Sequence, residues 1–133
     1  MDSSAIAKIV LPEPESEALA RFLPAWPLRV SSALAQVEVM RAVRRLMPEP
    51  PLIQRAEAVL QRLALLHIDS AILTVAAQLG PPLLRTLDAI HLASAASLGK
   101  DLGGFVAYDA RLAQAARILG ITVFTPGVAD TER

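Results

Sequence analysis

Four carboxylates, Asp2, Glu38, Asp88 and Asp109, occupy positions where chemistry competes with an ordinary structural role. Asp88 lies in Leu87-Asp88-Ala89-Ile90-His91-Leu92-Ala93-Ser94-Ala95-Ala96, a stretch with apolar or small residues in nearly every direction around a helix axis, as in a buried element. A carboxylate there loses hydration and has to be protonated, paired or bound to a cation. Satisfaction by the backbone amides of a first helical turn is the competing reading. Asp109 follows Gly104-Phe105-Val106-Ala107-Tyr108 and opens a helix, so it reads as an N-cap and also as an acid at the carboxyl end of a strand. Asp2 leads Asp2-Ser3-Ser4-Ala5 into a helix in the same way, although only Met1 precedes it; a start upstream of Met1 would supply the strand residues that are lacking. Glu38 borders an apolar stripe of Ala35, Val39, Ala42, Val43 and Leu46, with Arg41 and Arg45 continuing along its own line. It reads either as an i,i+3 partner of Arg41 or as an acid at a cleft rim beside arginines able to hold phosphate.

Alternating elements position these acids. Alanine- and leucine-rich segments with helical spacing are separated by short β-branched or aromatic runs, the α/β pattern. Helices are expected over about 4–11, 15–23, 32–47, 52–63, 69–80, 86–98 and 109–119, punctuated by Pro12, Pro14, the 24–27 stretch, Pro48, Pro50 and Gly80. Strands are expected over 28–30, 65–68, 105–108 and 121–124, with Ser31 and Ser32 capping the long third helix and a loose tail after Pro126. Strands that alternate with helices build a parallel sheet covered on both faces, and ligands of such sheets sit beyond the strands' carboxyl ends.

Composition narrows the chemistry. The 133 residues fit a single domain, and the absence of cysteine excludes disulfides, thiolate nucleophiles and zinc-thiolate sites. Thirteen basic residues balance thirteen acidic ones, so a polyanion has to be held by local arginines or a bound cation rather than by a basic surface. Five aromatic residues disfavour a base-stacking platform. No apolar run approaches the roughly 18 residues of a membrane span, and Met1-Asp2-Ser3-Ser4 lacks the basic and apolar regions of a secretory signal. A soluble, cytoplasmic protein is expected.

In order along the chain, Asp2-Ser3-Ser4-Ala5-Ile6-Ala7-Lys8, Leu11-Pro12-Glu13-Pro14-Glu15-Ser16, Val37-Glu38-Val39-Met40-Arg41, Leu84-Arg85-Thr86-Leu87-Asp88-Ala89-Ile90-His91-Leu92-Ala93-Ser94-Ala95 and Phe105-Val106-Ala107-Tyr108-Asp109-Ala110-Arg111-Leu112 together resemble a PIN-domain ribonuclease of the VapC type, the toxin of a type II toxin-antitoxin system. The resemblance covers nearly the whole chain, and the block around Asp88 is its most specific part. It implies a three-layer α/β/α sandwich with a short parallel sheet and endonucleolytic RNA cleavage dependent on magnesium or manganese. A small cognate VapB-type antitoxin and a homodimer are also implied. It places the acidic site on Asp2, Glu38, Asp88 and Asp109, with Asp2, Asp88 and Asp109 on the metal and the Ser4 hydroxyl ordering the site. The truncated first strand is the departure from the family pattern.

The physical chemistry is compatible with that carry-over. Converging carboxylates repel one another, and a hard divalent cation with oxygen preference compensates them. Such an ion can activate a bound water and neutralise charge developing on a phosphodiester; Glu38 would orient a water or complete the metal shell. Arg85, three residues before Asp88, is a phosphate contact or a partner of a neighbouring acid, and Arg41 and Arg45 are further substrate-side charges or a solvated face, as is Lys8. His91 reads as a packing histidine on an apolar helix rather than as a general base. Two other functions compete: a catalytically inactive PIN-like module that binds RNA or protein, and a phospho-accepting receiver. The receiver needs adjacent acids after the first strand and a lysine ending the last, which this chain does not clearly offer.

Overall fold

A computed structural model describes residues 1–82 and 84–129. Seven helices occur among them: α1 (Ser3–Val10), α2 (Ser16–Phe22), α3 (Leu34–Leu46), α4 (Pro50–Gln61), α5 (Ser70–Gln78), α6 (Thr86–Ala96) and α7 (Ala110–Ile118). The strands are β1 (Val30–Ser32), β2 (Ala64–Leu66), β3 (Phe105–Val106) and β4 (Val123–Phe124).

The strands form two parallel pairs, β1 with β2 in the register Ser31 to Leu65, and β3 with β4 in the register Val106 to Phe124. Met1 and Asp2 join them. The Met1 amine donates to Val30 O at 2.9 Å, the Ser31 hydroxyl donates to Met1 O at 2.7 Å, and the Asp2 amide donates to Val106 O at 3.1 Å. Two residues thus fill the place of a central strand, giving the order β2, β1, the Met1–Asp2 segment, β3, β4. The short first strand anticipated from sequence is present as this hydrogen-bonded bridge.

Helices cover both faces, as the three-layer architecture requires. Ile6, Val10, Ala35, Val39, Val43, Ala56 and Leu60 pack α1, α3 and α4 together. The other side is built by Ile72, Ala76, Ala89 and Ala93 between α5 and α6, and by Leu92, Ala95, Phe105, Leu112 and Ala116 between α6, β3 and α7. The small residues of α6 let it lie close to its neighbours, which is why that helix is buried nearly all round.

Several boundaries differ from the sequence expectation. The first strand of the pair lies at 30–32 rather than 28–30, with Leu28 90% exposed. Ser31 and Ser32 are strand residues, although Ser32 Oγ still accepts from the Leu34 amide at 3.2 Å. Leu46, placed on the core stripe of α3 by its spacing, is exposed because α3 ends there and Met47 leaves the helix. Pro50 and Pro51 start α4, where their missing amides cost nothing. After Pro126 the chain is held as far as it is described: Pro126 O accepts from the Tyr108 hydroxyl at 2.8 Å, and Gly127, at φ +88°, lies against Ala18 and Glu15 of the α2 region. The remainder of that expected loose tail, 130–133, lies outside the described residues.

Candidate active site

With Met1–Asp2 counted as a strand, the strand order reverses beside it, since the chain's next elements build β1 and β2 on one side while β3 and β4 lie on the other. A doubly wound sheet opens a crevice at that reversal, beyond the strands' carboxyl ends. Asp2 and Asp109 follow the two strand segments that flank it. Both cap the helix that comes next: Asp2 accepts from the Ala5 amide at 3.0 Å, and Asp109 from the Arg111 and Leu112 amides at 3.0 Å each. The cap fixes one carboxylate oxygen and leaves the acid at the sheet edge, so capping and site formation are two consequences of one placement.

Asp2 is 4% exposed and is clasped by Ser4, whose hydroxyl lies 2.9 and 2.8 Å from the two carboxylate oxygens. Burial pushes its carboxyl up from the ordinary value, against the Ala5 and Ser4 hydrogen bonds and the Met1 amine, which favour the charged form. Asp88 enters from the first turn of α6. Burial raises its carboxyl as well; Arg85 opposes this, while Asp109 and Glu38 add to it. Asp109 at the β3 edge and Glu38 on α3 are therefore each within electrostatic reach of Asp88 on α6.

Glu38 departs from both readings of its helix. The Arg41 pairing does not form. Its Oε1 instead accepts from Ser3 Oγ at 2.8 Å and lies 2.5 Å from His91 Nε2. Burial opposes its ionisation, but the His91 and Ser3 hydrogen bonds outweigh that and hold the carboxyl below the ordinary range. His91 is buried, as expected for a packing histidine, yet it reaches into the site, and Ser3 joins it at 3.1 Å. Ser3 is the participant that sequence reasoning missed, and His91, read there as a packing histidine, is a second one. The three-residue spacing from Asp88 to His91, which sets both on one face of α6, was the signal that pointed towards the site.

Arg85, 71% exposed, lies 3.5 Å from Asp88 and 3.4 Å from Asp109 and bridges the two acids. Arg41 and Arg45 are exposed farther along α3, Arg45 about 10 Å beyond Glu38 along the axis. Lys8 is turned away from any substrate role: it pairs with Glu13 and Glu15 at 3.1 and 2.9 Å and lies over the Tyr108 ring. An apolar cavity of about 430 Å³ lies beside the site, lined by Trp26, Leu98, Leu102 and His91 among others, and His91 also meets Glu38.

Residues 1–125 match the PIN domain family. The chain belongs to that family, among its VapC-type ribonucleases. It is 49% identical over 127 residues to Ribonuclease VapC46 of Mycobacterium tuberculosis (strain ATCC 25618 / H37Rv), covering 95% of each chain. Ribonuclease VapC35 of the same strain is 42% identical over 133 residues with 97% of each covered, and Ribonuclease VapC47 of strain CDC 1551 / Oshkosh 38% identical over 131 residues with 96% of each. No solved structure matches the chain significantly.

The donor set of this PIN domain bears on which cation would suit it. The acids brought to the crevice offer only oxygen, cysteine is absent, and the Nε2 of His91 is engaged by Glu38. That set fits a hard ion such as Mg2+ or Mn2+ rather than zinc. Among the described residues no three acidic or histidine side chains close around one point.

Proposed function

We propose that the chain is an endoribonuclease that hydrolyses RNA phosphodiesters with Mg2+ or Mn2+ and serves as the toxin of a toxin-antitoxin pair. Support comes from the ribonuclease names of relatives that align end to end with it, and above all from Asp2 and Asp109 at the crevice, with Asp109 and Glu38 in electrostatic reach of Asp88. Asp2, Asp88 and Asp109 would hold the ion, directly or through water. Bound there, it would supply an activated water and neutralise charge on the phosphate. The protein's own contribution is positional. Ser4 fixes the Asp2 carboxylate, the helix caps fix Asp2 and Asp109, and Glu38 orients a water or completes the metal shell. Arg85, now held by Asp88 and Asp109, would be available to a substrate phosphate once those acids were otherwise compensated, with Arg41 and Arg45 along the same approach.

The same reading carries partners and place. A small VapB-type antitoxin would neutralise the enzyme, and the protein would act in the cytoplasm on cellular RNA; among the described residues no helix is long and apolar enough to cross a membrane. A homodimer would cover some of the exposed Leu73, Val75 and Leu87 on α5 and α6. One domain carries all of this.

The decisive experiment incubates purified protein with structured RNA and Mg2+, beside EDTA and an Asp88→Asn variant. Cleavage in Mg2+ that is lost in both controls is expected. Cleavage persisting in either control, or an intact protein that binds RNA without cutting it, would overturn the proposal; the second outcome would identify a binding module. Expression should arrest growth, with relief by a small protein encoded alongside.

A further inference from the structure

His91 carries an imbalance that packing alone does not explain. Its Nδ1 is buried without a hydrogen-bond partner, while Nε2 lies 2.5 Å from Glu38 Oε1 and 3.1 Å from Ser3 Oγ. An unpartnered buried polar atom is destabilising, a cost that a leucine at this place on an apolar helix would avoid. The polar contacts of the ring thus all pass through Nε2, to Glu38 and Ser3. Because a carboxylate only accepts, Nε2 carries the hydrogen in that contact, and Nδ1, shut off from solvent, has no route to a substrate or water. A general-base role is therefore closed to it.

We infer that His91 and Ser3 are positioning residues for the cleavage reaction: together they grip Glu38 Oε1, hold the side chain in one rotamer and direct Oε2 towards the water or cation at the crevice. The grip joins three elements, α1, α3 and α6, across the crevice side of the sheet. Partners that orient a metal-site ligand in this way typically change activity or metal affinity about 10–100-fold when removed. This inference rests on the functional reading above.

The test compares wild type with His91→Leu, His91→Gln, Ser3→Ala and Asp88→Asn by steady-state RNA cleavage in Mg2+, by calorimetric titration of Mn2+ without RNA, and by thermal melting. His91→Leu should lower kcat about 10–100-fold with KM for RNA little changed, and weaken Mn2+ binding by a similar factor. His91→Gln, which retains a side-chain N–H donor, should recover most of both losses, and Ser3→Ala should lie between. If His91→Leu does not fold, Ser3→Ala carries the test, since alanine suits the first turn of α1. Wild-type kcat and Mn2+ affinity in the folded variants, or a His91→Gln protein as impaired as His91→Leu, overturns the positioning role. Asp88→Asn separates the two levels: if it cleaves like wild type, the functional reading itself has failed. If it is inactive while the His91 and Ser3 variants behave as wild type, only the positioning role is lost.

Discussion

Replacing Asp2 by asparagine removes a buried charge while leaving its hydrogen bonds almost intact. Asparagine caps helices as well as aspartate does, and its Oδ1 can still accept from the Ala5 amide at 3.0 Å and the Ser4 hydroxyl at 2.9 Å. The charge itself is costly: burial pushes the Asp2 carboxyl above its ordinary 3.8 in spite of those bonds. A folded carboxyl that titrates above its unfolded value retains a proton that the unfolded chain has already released. Between 3.8 and the folded value, stability therefore falls as pH rises, with a slope approaching about 1.4 kcal/mol per pH unit, and above the folded value the loss is complete. In EDTA at neutral pH, Asp2→Asn should melt above wild type, by roughly 4 °C for each kcal/mol recovered at this chain length, and the gap should close as the pH approaches 3.8. Mg2+ should reverse the order. An ion bound only by the folded state, at a hundred times its Kd, adds about 2.7 kcal/mol to wild type, and much less to a variant that has lost a ligand. Circular dichroism melts across pH in EDTA, repeated with Mg2+, check both halves. A variant that melts below wild type in EDTA at neutral pH, or that gains as much from Mg2+ as wild type does, refutes the reasoning.

Three further outcomes follow from the same geometry. Burial raises the Asp88 carboxyl and Arg85 pulls it down, so in EDTA Arg85→Ala should shift the Asp88 titration, followed by carboxyl-carbon NMR, to higher pH, and by less at high salt because Arg85 is largely exposed; an unmoved titration would deny the contact. A methyl at Gly104 would overlap the Phe124 ring, which is wedged 5.1 Å from Phe22 and 5.5 Å from Trp26, so Gly104→Ala should cost about 1–3 kcal/mol by chemical denaturation, and a neutral result would mean the aromatic cluster is loose. Tyr108 is the sole tyrosine, so tyrosinate absorbance reports it directly; burial first, then Glu15 and Asp2, push its hydroxyl up to about 12, and a midpoint near the ordinary 10 would contradict the packing around it.

Local interactions were legible in the amino-acid order. Asp2, Asp69 and Asp109 cap α1, α5 and α7 through amides two or three residues away, and that geometry follows from residue type and spacing alone. The helices likewise follow from a 3.6-residue period repeated over two or more turns. Strands of two or three residues carry no such period, so β1 was displaced by two positions from its expected place and Leu28 emerged into solvent. Only the tertiary structure could supply what depends on residues far apart: the Met1–Asp2 bridge reaches Val30 and Val106, and Glu38 turns from the nearby Arg41 to His91, 53 residues away. The reason is dielectric as much as geometric. An exposed i,i+3 pair with Arg41 gains only tenths of a kcal/mol, whereas a carboxylate drawn into the half-buried space between α1, α3 and α6 needs donors there, and His91 and Ser3 provide them.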